Sequence, residues 1–259
     1  MATDLYVGGW DNPSQKAIFG KIDSKTGAYT QISSGLGLNQ DWFTGLAWDP
    51  GISAFHTLSE QGLLSTITKT GTTGSPTGGG PRGRGRLAYN TNTGQLHRLA
   101  GKDPDRTFVD VVKMSINGVD VPKNTHTEEL HRLAAEYLAL ASVGHSFHGT
   151  AFVKGKLYCT VSKRYHPGFD FRFENSGKNN DSYGLFDLET AGFQEIFPDR
   201  AFHAMQLAYD GSTLFGLNDY TLYTLNPETG AYTQVAKVTG ISEGNTKLNC
   251  MSAIPVSAS

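Results

Sequence analysis

FHAMQLAYDGSTLFGLNDYTLYTLNPETGAYTQV, residues 202–235, holds four short strands in succession. MQLAYDG is the first and STLFGLND the second; TLYTLNPE is the third and GAYTQV the fourth. Apolar and polar residues alternate within each, and Gly, Asn, Asp and Pro punctuate them. A meander of about 40 residues cannot bury both faces by itself, so it requires copies stacked alongside.

The chain supplies them. The first strand recurs as TGLAWDP (44–50), GRLAYNT (85–91), GTAFVKG (149–155), QLAYDGS (206–212) and MSAIPVS (251–257). Each copy carries a small residue at one place: Ala47, Ala88, Ala151, Ala208 and Ala253. The turn before the fourth strand recurs as DSKTGAYT (23–30), ITKTGTTG (67–74), DLETAGFQE (187–195) and NPETGAYTQ (226–234). For the third copy the candidate is VKMSINGVDV (112–121). The chain opens on LYVGGWD (5–11), which matches a second strand. KAIFGKID and AYTQISS then serve as strands three and four, and the missing first strand comes from NCMSAIPV (249–256). One unit built from both termini closes a ring and leaves no unpaired sheet edge.

This pattern resembles propeller repeats in general, across nearly the whole chain. The resemblance implies an all-β, five-bladed β-propeller in one domain, 1–259. Blade one is 4–34 plus 246–256, blade two 43–78, blade three 84–122, blade four 147–198 and blade five 202–238. A helical insertion, 125–144, precedes blade four, and a loop insertion, 164–181, interrupts it. The Trp-Asp signature of WD40 blades is absent as a repeat: Trp10-Asp11 and Trp48-Asp49 are isolated and differently placed.

The helical reading rests on Leu130, Leu133, Ala134, Tyr137 and Leu138 at helical spacing after Thr127. Glu128 and Glu129 sit in the first turn, and Gly144 is the stop. His126 and His131 are five apart and do not share a helical face as a metal pair would.

With 22 basic and 24 acidic residues the net charge is −2, which gives no footprint for nucleic acid or an anionic membrane. The opening MATDLYVGG has no apolar leader, and no apolar run is long enough to span a bilayer. A soluble, cytoplasmic protein is expected, or a secreted one if a leader has been removed. Cys159 and Cys250 fall on strands of different blades, as buried free thiols do. The Gly-rich loop 71–85 lacks the Lys-Ser/Thr of a P-loop. Arg82, Arg84 and Arg86 are read as loop arginines, able to meet an anion.

In a propeller the loop entering each innermost strand and the loop joining strands two and three open on one face. Both insertions therefore fall together, as a lid over the channel mouth. His148 and His203 open neighbouring blades on that face, each preceded by a phenylalanine. With Glu60 or Asp219 nearby they suit general acid–base chemistry, or equally a divalent metal. A histidine opening a strand is more often a hydrogen-bonded structural residue, and no motif names a cofactor. Trp42, Phe43, Thr44, Phe147, Tyr165, Phe169 and Phe202 are the expected ligand-binding walls, and Arg84 or Arg164 would orient an anionic or carbonyl group.

The favoured reading is thus one asymmetric small-molecule site. A lectin with rim sugar sites is the alternative, and a protein-interaction platform the second. The lectin needs the same polar residues in every blade, yet opposite His148 stand Thr44, Gly85 and Cys250.

Overall fold

The structure is a computed structural model, and it describes residues 3–35, 43–59, 63–74, 85–101, 109–115, 143–165, 181–188 and 193–255. The chain is an all-β propeller. It begins with β1 (Asp4–Asp11), β2 (Lys16–Asp23) and β3 (Tyr29–Ser34). A second sheet contains β4 (Phe43–Asp49), β5 (Ala54–Ser59) and β6 (Leu64–Ile67). The third contains β7 (Gly85–Asn90), β8 (Gln95–Gly101) and β9 (Val109–Ser115). The fourth has β10 (Val143–Val153), β11 (Lys156–Tyr165), β12 (Asp181–Phe186) and β13 (Phe193–Pro198). The fifth has β14 (Gln206–Tyr209), β15 (Leu214–Asn218), β16 (Thr221–Leu225) and β17 (Tyr232–Lys237). The last strand, β18 (Thr246–Ala253), returns to pair antiparallel with β1, giving the order β18-β1-β2-β3.

The innermost strands touch in sequence. β4 packs against β18 and β7, β7 against β10, β10 against β14, and β14 returns to β18. Burial falls from hub to rim: every residue of β4 is buried, whereas β3, β13 and β17 alternate partly and fully exposed positions. Ala47, Ala88, Ala151, Ala208 and Ala253 are all buried and all line one central cavity of about 360 Å³. Small side chains recur there because the innermost strands of all five sheets converge on one narrow lumen.

Two of the Thr-Gly repeats are matching capped turns. In one, Asp23 Oδ1 accepts from the amides of Lys25 and Thr26; in the other, Asn226 Oδ1 accepts from those of Glu228 and Thr229. The threonine hydroxyl then accepts from the amide two residues on, Ala28 or Ala231. Gly27 and Gly230 turn the chain at φ +73° and +71°, where a side chain is strained.

Between sheets the core is aromatic. Tyr6, Phe19, Trp48 and Phe55 meet across the first and second sheets, with Tyr6 and Phe55 centroids 4.7 Å apart. Burial of a ring such as Phe55 contributes about 1.5–3 kcal/mol. Hydroxyls stitch neighbouring innermost strands: the Trp48 amide donates to Ser252 Oγ at 3.0 Å, and Thr150 Oγ1 donates to the Leu87 carbonyl at 3.2 Å.

Four expectations are corrected. Gly144 does not end a helix: Val143 and Gly144 belong to β10, and 125–142 lie outside the described residues. Arg86 is not a loop residue; it is the second residue of β7. The candidate turn 112–121 overlaps β9, the third strand of its sheet, and 116–121 are not described. The insertion at 164–181 is narrower than its sequence suggested, since Arg164 and Tyr165 end β11 and Asp181 begins β12.

Cys159 and Cys250 are free and buried, in β11 and β18. Burial pushes the Cys159 thiol up, and raises Cys250 to about 12 against the opposing charge of Arg86. Attack on a disulfide needs the thiolate. Neither cysteine is therefore expected to react with Ellman's reagent in the native protein at pH 8, while both react in guanidinium. Prompt labelling of either without denaturant would show the hub to be open.

Candidate functional site

Phe-His occurs at 55–56, 147–148 and 202–203, and in the latter two pairs the two residues divide one task. Phe147 is buried and meets Phe186 edge-on at 5.5 Å. Phe202 is fully buried among Tyr183, Phe197 and Tyr232, with centroids 5.6–6.1 Å away. Each phenylalanine anchors the backbone, and each histidine projects from that anchor.

The means of projection differ. His148 sits at a β-bulge: Phe147 pairs with Val161 and Gly149 with Thr160, so His148 is the extra residue of the ladder. A bulge of this kind re-aims one side chain. It is fixed by Thr160 Oγ1, which accepts from the Gly149 amide at 2.8 Å and donates to the Met205 carbonyl at 2.6 Å. Equivalent slips occur at Thr44 in β4 and at Asn249 in β18. The residue matching His148 in the first sheet is accordingly Asn249, not Cys250, which pairs with Gly8.

His203 follows a 3-10 turn, Arg200–Phe202. Asp199 caps that turn by accepting from the Ala201 amide at 2.8 Å, and the Asp199 amide donates to the Asp181 carbonyl at 3.1 Å. Asn218 Nδ2 holds the turn from the other side through the Ala201 carbonyl at 2.8 Å. The same scaffold thus positions Asp181 and His203 relative to each other.

The result is a convergence. The His148 and His203 rings lie 5.7 Å apart between centroids. His203 Nδ1 lies 3.2 Å from Asp181 Oδ1. One ligand-type atom from each of His148, Asp181 and His203 falls within 4.8 Å of the other two. Asp181 is 9 % exposed, His148 is partly buried and the His203 side chain is open to solvent. A nearly buried carboxylate beside two imidazoles, one of them solvent-accessible, can exchange protons with a ligand or coordinate a cation.

Asp181 was not among the residues singled out from sequence. Sequence places the carboxylate at the ends of second strands, as Glu60 or Asp219, but the loop on that face also ends at the start of each third strand. Reading both ends of that loop finds Asp181. Asp219 occupies the turn between β15 and β16 at φ +49° and is exposed. Phe43 and Thr44 are buried, and Thr44 Oγ1 donates to the Leu58 carbonyl at 3.2 Å. Phe43, Phe147 and Phe202 each belong to an apolar cluster of the core. Arg164 and Tyr165 lie in β11; Trp42, Glu60, Arg84 and Phe169 lie outside the described residues.

Arg86 was grouped with its loop neighbours, and its position is more telling. Its guanidinium donates to the carbonyls of Thr44, Phe147 and Asn249, the latter two at 3.2 Å. One cation thereby joins β7 to β4, β10 and β18 across the channel. The central cavity lies beyond it, toward the ends of the innermost strands, where Trp48, Tyr89, Phe152 and Tyr209 contribute to its wall. Among the described residues, Phe43, Thr44, Phe147, His148, Phe202, His203 and Asp219 do not line that cavity.

No protein-family model and no curated protein sequence matches the chain. Among solved structures it is similar to a protein of unknown function from Bacteroides caccae, at 11 % identity and a TM-score of 0.49, over 98 % of this chain and 99 % of that one. It is also similar to the WD40 repeats of RRP9, at 10 % identity and a TM-score of 0.37, over 74 % of this chain and 50 % of that one. A third is virginiamycin B lyase from Staphylococcus aureus, at 10 % identity and a TM-score of 0.35, over 90 % and 66 %. At such identities nothing of these proteins' activities transfers to this chain.

Proposed function

We propose that the five sheets are the blades of one five-bladed wheel, and that it binds a small molecule in a single asymmetric site at the channel mouth. His148, Asp181 and His203 make the polar contacts there, and His-based acid–base or metal-assisted catalysis is the chemistry they suit. The observation that carries this reading is the meeting of the two histidines with a nearly buried carboxylate. The ring of contacts through β18, β4, β7, β10 and β14 supports the blade count. The asymmetry is chemical: the positions bulged like His148 in the first and second sheets hold Asn249 and Thr44, so among the described residues the cluster is built once. A lectin with equivalent rim sites gains no support from these unlike residues.

Replacing His148 and His203 together by alanine tests the site. A thermal-shift screen of small carboxylic acids, carbonyl compounds and monosaccharides is expected to give hits on the native protein that the double variant loses. Its melting temperature should stay within about 4 °C, because His203 is exposed and His148 is only partly buried. Hits that survive the double substitution, or sugars bound at five per chain, would overturn the proposal. Loss of folding would make the histidines structural.

A further inference from the structure

We infer that His148, Asp181 and His203 form a three-ligand site for a divalent transition metal ion of the zinc and cobalt class; the inference rests on the mouth-site reading and names its cofactor. The donor set is two imidazole nitrogens and one carboxylate oxygen. That mixture suits zinc, cobalt or nickel, whereas magnesium and calcium take all-oxygen shells.

The spacing fits as well. Bonds of about 2.0–2.1 Å in a tetrahedron separate neighbouring ligand atoms by about 3.3 Å. His203 Nδ1 and Asp181 Oδ1 already stand 3.2 Å apart, and the full set spans no more than 4.8 Å. Closing on an ion therefore asks only a small movement of an imidazole. His203 has the freedom for it, since its side chain is two-thirds exposed.

The supports behind the ligands are of the kind that orient them. Asp181 begins β12 in register with Ser162, and its carbonyl holds Asp199, whose carboxylate caps the turn carrying His203. His148 is fixed by the bulge that Thr160 pins to Met205. Three protein ligands leave the fourth position open, as in catalytic rather than structural zinc sites. A ligand's carbonyl or carboxylate oxygen would take that position, and the exposed His203 side chain leaves the cluster accessible to solvent.

The test uses the full chain, stripped with EDTA and titrated with zinc chloride by calorimetry, then with cobalt chloride by visible absorption. One ion per chain is expected, with cobalt bands of the intensity typical of four- or five-coordinate sites. Losing an outer-shell partner lowers metal affinity about 10–100-fold, and losing a direct ligand lowers it further. H148A, D181N and H203A should each weaken zinc binding by more than about 100-fold. H203A keeps the test interpretable if D181N fails to fold, since His203 lies on the surface. Absence of binding to the stripped native protein would overturn the inference, as would binding that all three substitutions leave unchanged. The small-molecule screen repeated in EDTA separates the two ideas: hits that persist without metal and vanish in H148A/H203A preserve the mouth site while removing the ion.

Discussion

Replacement of Arg86 by leucine is expected to lower the midpoint of thermal unfolding by about 10 °C. The side chain is partly buried and donates to three carbonyls, on Thr44, Phe147 and Asn249, each in a different sheet. Hydrogen bonds from a charged donor contribute about 1.5–3 kcal/mol each. They do not add fully when they share one donor group. A net loss of about 3–5 kcal/mol is expected, and for a chain of this size each kcal/mol moves the midpoint by about 2–4 °C. Leucine fills some of the space but leaves the carbonyls facing an apolar group. Lysine keeps the charge on a single nitrogen without the planar fork, so its loss should be intermediate. Differential scanning calorimetry of both variants checks the order; a leucine variant within 2 °C of the native protein would remove Arg86 from the hub.

The second large effect is at Gly149. A methyl group there would lie 2.5 Å from the Met205 carbonyl oxygen and 2.6 Å from the Leu207 amide nitrogen. Both are backbone atoms of the neighbouring sheet and cannot turn aside as a side-chain tip does. Gly149→Ala must push β10 from β14, and overpacking of this kind costs about 1–3 kcal/mol, occasionally more. The damage should extend to the site, because Gly149 follows the bulge that presents His148 and its amide is held by Thr160. Urea unfolding should show a loss of about 3 kcal/mol. Gly244→Ala is the control: nothing lies within 4 Å of its added methyl, which leaves only the strain of φ +82°, about 1–2 kcal/mol. Equal effects at the two positions would mean that β10 and β14 are not in close contact.

These residues show what the sequence could and could not express. The alanines were legible because a narrow hub selects small side chains, and all five line the central cavity. The Thr-Gly turns were legible because an Asx cap followed by a left-handed glycine needs those residue types. The pairing of the two chain ends followed from matching each segment to its place in the meander. A bulge, by contrast, is a slip of one residue in a ladder, and only the glycine after Thr44 and His148 hints at it. The aromatic residues carry no mark that separates a pocket wall from a core, and Phe43, Phe147 and Phe202 each pack in an apolar cluster. Asp181 stood at the edge of a charged, aromatic stretch and read as loop. Arg86 stood among arginines of a Gly-rich loop, although its place two residues before Ala88 put it in the strand.

Anomalous diffraction from a crystal soaked in zinc chloride tests the central claim most directly. The account predicts one strong peak at the channel mouth, within about 2.3 Å of ligand atoms on His148, Asp181 and His203. It predicts no equivalent peaks beside Thr44 or Asn249, where the other bulges lie. A map with no peak at those three residues, or with peaks repeated around the rim, would contradict it.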